Sequence, residues 1–174
     1  MYFGELVAHY RLNSANVSVL SGDRGSDPRS VVRTALRERD EEKQQGEYYD
    51  RVYCVFDRDR HANFAAASDE AIRKGVRLAR SWPCFEYWFL LHFVYTRKPF
   101  RESQGRSPCD NCVRELRIHL ADYRKGSVGV FDRLRTRLEQ AKTNARMAKD
   151  DAEGEPNPST DVHDLVEYLQ QLKE

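Results

Sequence analysis

The sequence predicts an α/β protein in which a parallel sheet is covered by helices, followed by a helical C-terminal part. Three observations support this class. Short runs rich in β-branched and aromatic residues alternate with longer segments of helical periodicity. Glycine and proline fall between these segments. The run from Val52 to Phe56 is uncharged throughout, which is typical of a strand buried on both faces. A length of 174 residues fits a single domain with one core.

The predicted elements alternate along most of the chain. We predict helices over residues 3–12, 28–42, 64–74, 83–93, 112–123, 130–151 and 160–172, and strands over residues 17–20, 51–56 and 76–80.

Local signals justify the order in the first half. Pro28 suits the first turn of a helix, and Asp27 or Ser26 can cap that turn. Residues 51–56 are rich in β-formers and follow a polar connector. Gly75 can end the next helix, since glycine readily adopts the left-handed conformation found there.

The second half is predicted to be mostly helical. Pro83 opens a short and almost wholly apolar helix, and the segment 95–109 is irregular. The loop 154–159, with its glycine and two prolines, separates the last two helices. We therefore predict an α/β core over residues 1–94 and a helical extension over residues 95–174 that packs on the same domain.

Composition excludes several classes of protein. Hydrophobic residues make up 40% and charged residues 33%, as in a soluble globular domain. The longest apolar run is too short to cross a bilayer, and no signal-peptide pattern opens the chain. Four cysteines without a secretory signal indicate a reducing compartment, so we expect a cytoplasmic protein.

Two basic stretches could bind a polyanion such as nucleic acid, although the formal net charge is only +1. They lie at residues 97–106 and 133–149. The alternative is that these charges form the solvated faces of long helices.

An acidic pair follows the most apolar strand. Asp57 and Asp59 are two residues apart, so in an extended chain both project to one side while Arg58 points to the other. Carboxylates are the ligands that Mg²⁺ and Mn²⁺ prefer, and open α/β sheets bind ligands at the carboxyl ends of their strands. The pair predicts a Mg²⁺ or Mn²⁺ site, unless both are solvated turn residues.

Glu86 is the next candidate. It lies in the first turn of the predicted apolar helix and shares a face with Phe89, Leu90 and Phe93. A carboxylate on such a face costs several kcal/mol unless it is paired or metal-bound. Glu86 is therefore either a metal ligand or helper beside the acidic pair, or a carboxylate stabilised by the helix dipole or by an arginine.

Other polar side chains have both functional and structural interpretations. His92 could act in catalysis or be a core histidine. Lys125, in a glycine-flanked loop, could neutralise a phosphate or be an ordinary solvated lysine. Cys109 and Cys112 have half of a zinc-site spacing without a second pair, which favours loop thiols.

The residues discussed above resemble a known family. The segments that carry the resemblance are VFDRD at 55–59, SWPCFEYWFLLHF at 81–93, residues 22–28, residues 123–125 and NPSTDVHDLV at 157–166. Together they resemble the RloB-like proteins, which are grouped with bacterial abortive-infection proteins. The tryptophan-containing segment is the most specific part.

The resemblance implies a fold and an activity. RloB-like proteins are thought to have a Toprim-type fold, shared by topoisomerases, primases and OLD-type nucleases. It therefore implies a Mg²⁺-dependent nuclease or phosphodiesterase of an anti-phage system, with Asp57 and Asp59 as metal ligands. Glu86, His92 and Lys125 are the candidate helpers, and nucleic acid is the expected partner.

The resemblance also implies an upstream strand that ends in a glutamate ligand. The chain opens on a predicted helix, so we expect this first strand to be missing and residues 1–174 alone to cleave weakly or not at all. The alternative is a non-catalytic binding or regulatory subunit that works with a partner ATPase.

Overall fold

The structure is a computed structural model that describes residues 1–12, 17–20, 27–58, 61–152 and 154–173. Its helices are α1 Tyr2–His9, α2 Pro28–Gln44, α3 Phe64–Arg73, α4 Glu86–Leu90, α5 Pro108–His119, α6 Val130–Leu134, α7 Leu138–Asp150 and α8 Val162–Gln171, and its strands are β1 Tyr53–Asp57, β2 Arg77–Trp82 and β3 Ser159–Thr160. This arrangement confirms the predicted α/β class.

The described strands form one sheet in the order β1-β2-β3. β1 and β2 are parallel, as predicted, and Asp57 lies opposite Ser81. β3 is antiparallel to β2, with Thr160 opposite Ser81. The sequence predicts that the last helix begins at Thr160, and this boundary is wrong. The Thr160 hydroxyl instead lies 2.8 Å from the Ser81 hydroxyl and accepts a hydrogen bond from the Val162 N–H at 3.2 Å, so the helix begins after it.

Apolar clusters cover the two faces of this sheet. Cys54 and Phe56 of β1 pack with α2 and α3 in a smaller core. Tyr53 and Val55 pack against the main core, which we define as the buried cluster formed chiefly by α1 and α4–α8. Since successive residues of a strand point to opposite faces, Asp57 belongs to the face of the main core.

Helix α4 lies inside the main core and is buried at every residue. It packs against β2, β3, α5 and α7. Trp88 and Tyr87 are among the largest fully buried side chains of the protein. The apolar segment identified in the sequence therefore becomes the centre of the fold.

Several predicted boundaries differ from the structure. The predicted strand 17–20 is not formed; Val17 and Val19 pack against the main core, which explains their alternation without a sheet. The predicted helix 83–93 is confined to Glu86–Leu90, and the predicted helix 130–151 is divided by a 3₁₀ turn at Arg135–Arg137.

Helix α5 begins earlier than the predicted residue 112. Ser107 and Asp110 form a reciprocal capping box, and Pro108 occupies the first turn. No described helix combines the length and the apolar character needed to span a bilayer.

Helix α1 is joined to α6 by one carboxylate. Glu5 accepts hydrogen bonds from the backbone N–H groups of Gly129 at 2.8 Å and Phe131 at 2.9 Å. Gly129 has φ = 73°, a left-handed conformation that favours glycine. Glu5 therefore satisfies two donors at the start of α6 that the helix itself cannot pair.

We expect Glu5→Ala to reduce the free energy of unfolding by about 1 to 3 kcal/mol, because partly buried donors lose their acceptor. Urea denaturation measures this loss. Glu47→Ala, at an exposed residue, is the matched control. Equal stability of the two variants would show that the contact between α1 and α6 does not depend on Glu5.

Candidate functional site

Asp57 is the member of the predicted acidic pair that the structure describes. It ends β1 on the face of the main core. Its negative charge contributes to the raised pKa values of Cys112 and Tyr123. Asp57 is therefore within electrostatic range of both groups. Asp59 lies outside the described residues.

Arg58 lies on the opposite face, as the strand alternation predicts. Its guanidinium is 3.9 Å from the centre of the Trp82 ring and 5.1 Å from that of Phe64. Stacking on aromatic faces keeps this cation away from the side to which Asp57 belongs.

Glu86 is the first residue of α4 and is 6% exposed. Its Oε1 accepts a hydrogen bond from the Tyr123 hydroxyl at 3.0 Å. Its Oε2 faces the Cys109 sulfur at 3.7 Å. Within the part of the chain that the structure describes, this carboxylate is held by a tyrosine and not by an arginine.

The environment of Glu86 keeps neighbouring groups protonated. Burial, followed by the Glu86 charge, raises the pKa of Tyr123 far above its ordinary value. Burial and the same carboxylate also raise the pKa of Cys112. Since Asp57 acts on these two groups as well, Asp57 and Glu86 belong to one electrostatic neighbourhood.

Lys125 reaches this neighbourhood from an exposed loop. Its Nζ lies 3.1 Å from the Cys109 sulfur, which in turn faces Glu86. The structure therefore brings Asp57, Glu86 and Lys125 to the same region, although 68 residues separate the first from the last.

Two cysteines lie at the centre of the region. Cys84 and Cys109 form a disulfide with a Cα–Cα distance of 5.6 Å, which connects the segment before α4 to the first turn of α5. The prediction that Cys109 and Cys112 are loop thiols is wrong. Both are buried on α5, because the capping box starts this helix at Pro108.

Comparison with known proteins places the chain in a family. A family model described as RloB-like protein matches residues 1–169. The chain belongs to the RloB-like protein family. This match spans β1, α4 and α5, so it includes every residue of the candidate site. No match was found among curated proteins or among solved structures.

His92 has a different setting in this RloB-like protein. Its Nδ1 lies 2.9 Å from the Trp88 carbonyl oxygen, and its ring packs edge-to-face on Trp88 at 4.8 Å. Burial, with a smaller contribution from the charge of Arg137, lowers the pKa of His92 to about 4, although backbone hydrogen bonds partly oppose this shift. The contacts described for this buried imidazole are with Trp88, Phe89 and Arg137. Its catalytic role stays a prediction.

The donor chemistry of the RloB-like site can be compared with that of metal ions. Asp57 and Glu86 offer carboxylate oxygens, which suit a hard cation such as Mg²⁺ or Mn²⁺. The sulfur atoms beside Glu86 suit softer ions. The region thus presents oxygen donors towards the end of β1 and a mixed set between α4 and α5.

Sequence reasoning missed two contributors to the site. In the sequence, Tyr123 belongs to a segment that resembles the family, and its position two residues before Lys125 is the signal that could identify it. The pairing of Cys84 with Cys109 had no local signal, because a separation of 25 residues does not specify partners.

Proposed function

We propose that this RloB-like protein is a Mg²⁺- or Mn²⁺-dependent phosphodiesterase of Toprim type that acts on nucleic acid in defence against phage. The observation that supports this most directly is the position of Asp57. It ends β1, which is parallel to β2, and it shares its neighbourhood with the buried Glu86. Carboxyl ends of parallel strands are where open α/β sheets bind ligands.

The described residues fit separate roles in such a site. Asp57, with Asp59, would hold the ion, and the ion would polarise the phosphate. Glu86 would add a second carboxylate, oriented by the Tyr123 hydroxyl at 3.0 Å. Lys125 has three N–H donors and uses one on the Cys109 sulfur, so the others can bind a phosphate oxygen. His92 receives no role in the proposed reaction.

Cleavage of labelled single-stranded DNA, duplex DNA and RNA tests the proposal. Each substrate is incubated with the protein in Mg²⁺, in Mn²⁺ or in EDTA. We expect weak metal-dependent cleavage, and its loss in Asp57→Asn because the ion loses a charged ligand.

Asp50→Asn is the matched control, since Asp50 is exposed and lies three residues before β1. Binding of nucleic acid without cleavage in either metal ion would contradict the enzyme proposal. It would favour a binding subunit of a complex with an ATPase.

A further inference from the structure

The strongest unassigned feature is a group of potential metal ligands between α4 and α5. The sulfur atoms of Cys84 and Cys109 and a carboxylate oxygen of Glu86 lie within 4.8 Å of one another, and all three residues are buried. They come from the segment before α4, from α4 itself and from the first turn of α5. The two sulfurs are joined in this structure, so the same residues can be present in two chemical states.

We propose that, once this disulfide is reduced, Cys84, Cys109 and Glu86 bind a zinc ion. Two thiolates and one carboxylate form a donor set typical of Zn²⁺, whereas Mg²⁺ takes oxygen ligands. Three protein ligands leave the fourth tetrahedral position of zinc for water or a substrate atom. The zinc site shares Glu86 with the proposed phosphodiesterase site but uses neither Asp57 nor Asp59, so it does not depend on that function.

The surroundings orient the carboxylate for such an ion. The Tyr123 hydroxyl donates a hydrogen bond to Oε1 of Glu86. The other oxygen, Oε2, lies 3.7 Å from the Cys109 sulfur. Hydrogen bonds of this kind fix the direction of metal ligands and are a regular part of zinc sites.

Charge favours the same assignment. Glu86 is 6% exposed, and a buried carboxylate is costly without a positive partner. The Lys125 ammonium lies 3.1 Å from the Cys109 sulfur. A neighbouring cation favours the thiolate form of a cysteine, which is the form that binds metal. A zinc ion would balance the remaining negative charge of two thiolates and Glu86.

The change of state is balanced chemically. A water-soluble phosphine gives two electrons to the Cys84–Cys109 bond and takes an oxygen atom from water, which yields two thiols and the phosphine oxide. Zinc binding then releases the two thiol protons. In the disulfide state neither sulfur carries the negative charge that zinc requires, so this state is not expected to bind the ion at Cys84 and Cys109.

The test uses the whole chain, freed of metal by chelation and measured with and without phosphine. Zn²⁺ affinity is obtained by competition with a chromophoric chelator, and Co²⁺ is added in its place to read sulfur ligation from thiolate-to-cobalt absorption. We expect the reduced protein to bind Zn²⁺ more tightly than the disulfide form does, and we expect thiolate-to-cobalt absorption in the reduced protein and not in the disulfide form.

Variants locate the ion. Loss of a group that only orients a metal ligand typically lowers metal affinity by about 10- to 100-fold. Loss of a ligand itself should cost at least as much, so Cys84→Ser and Cys109→Ser should each weaken Zn²⁺ binding by about tenfold or more. Cys54→Ala, in the smaller core, should leave it unchanged. Circular dichroism checks that each variant is folded.

The result that would overturn the proposal is reduced wild-type protein without thiolate-to-cobalt absorption, which requires no variant to fold. Equal Zn²⁺ affinity in Cys54→Ala and in a folded Cys109→Ser would overturn it too. Failure of the proposed phosphodiesterase site would give a different result. The Mn²⁺ affinity would then be the same in the wild type and in Asp57→Asn, while the reduced protein would still bind zinc.

Discussion

Trp88→Ala is expected to reduce the free energy of unfolding by about 3 to 5 kcal/mol. Trp88 is fully buried at the centre of α4 and packs edge-to-face on His92 at 4.8 Å. Removing the indole leaves a cavity that the rigid surroundings fill only in part. Since a domain of this kind is typically stable by only about 5 to 15 kcal/mol, the variant should be close to unfolding at physiological temperature.

Chemical denaturation followed by circular dichroism measures this effect. Ile118→Ala on α5 is the control, because Ile118 is 77% exposed and its truncation should change stability by less than about 0.5 kcal/mol. A Trp88→Ala curve that coincides with the control curve would mean that Trp88 is not part of the core.

Stability is expected to fall as the pH decreases from 6.5 to about 4, and His92 is expected to cause much of this fall. Burial lowers the pKa of His92 from 6.5 to about 4. In that interval the unfolded chain binds a proton at this residue and the folded chain does not, so protonation favours unfolding. One pKa unit corresponds to about 1.36 kcal/mol, which gives a loss of about 3 kcal/mol at the acid end.

Denaturation curves recorded across this pH interval test the assignment. His92→Asn removes the titrating group, so its free energy of unfolding should change less with pH than that of the wild type. This comparison of slopes holds even if the substitution itself changes the stability. His119→Asn, at an exposed residue of α5, should keep the wild-type slope. His163 adds to the same trend, because burial lowers its pKa too, and its own variant separates the two contributions. Equal slopes in wild type and His92→Asn would contradict the assignment.

The sequence predicts this fold where apolar patterns are long enough. The run at Tyr53–Asp57 is apolar enough to predict a buried strand, and the apolar segment around Trp88 predicts a buried helix. By contrast, β3 has only Ser159 and Thr160, and two residues carry no periodicity. Its position is set by the Ser81–Thr160 contact, which is a tertiary interaction.

The candidate site was predictable only in part. Asp57 is identifiable because it follows an apolar strand, at the end where α/β sheets bind ligands, and Glu86 because a carboxylate on an apolar face requires a partner. The approach of Lys125 to Cys109, which faces Glu86, depends on how the loop after α5 folds back, and no local pattern specifies this. The same holds for His92, whose burial by Trp88 and the main core decides its protonation state.

Calorimetric titration with Mn²⁺ shows whether Asp57 belongs to a divalent-metal site. We expect saturable binding by the wild-type protein, weakened by about tenfold or more in Asp57→Asn and in Asp59→Asn and unchanged in Asp50→Asn. Both acidic variants should melt as the wild type does in the absence of metal, because Asp57 lies at the end of β1 and is not fully buried. Equal Mn²⁺ affinity in the wild type and in both acidic variants would contradict the claim.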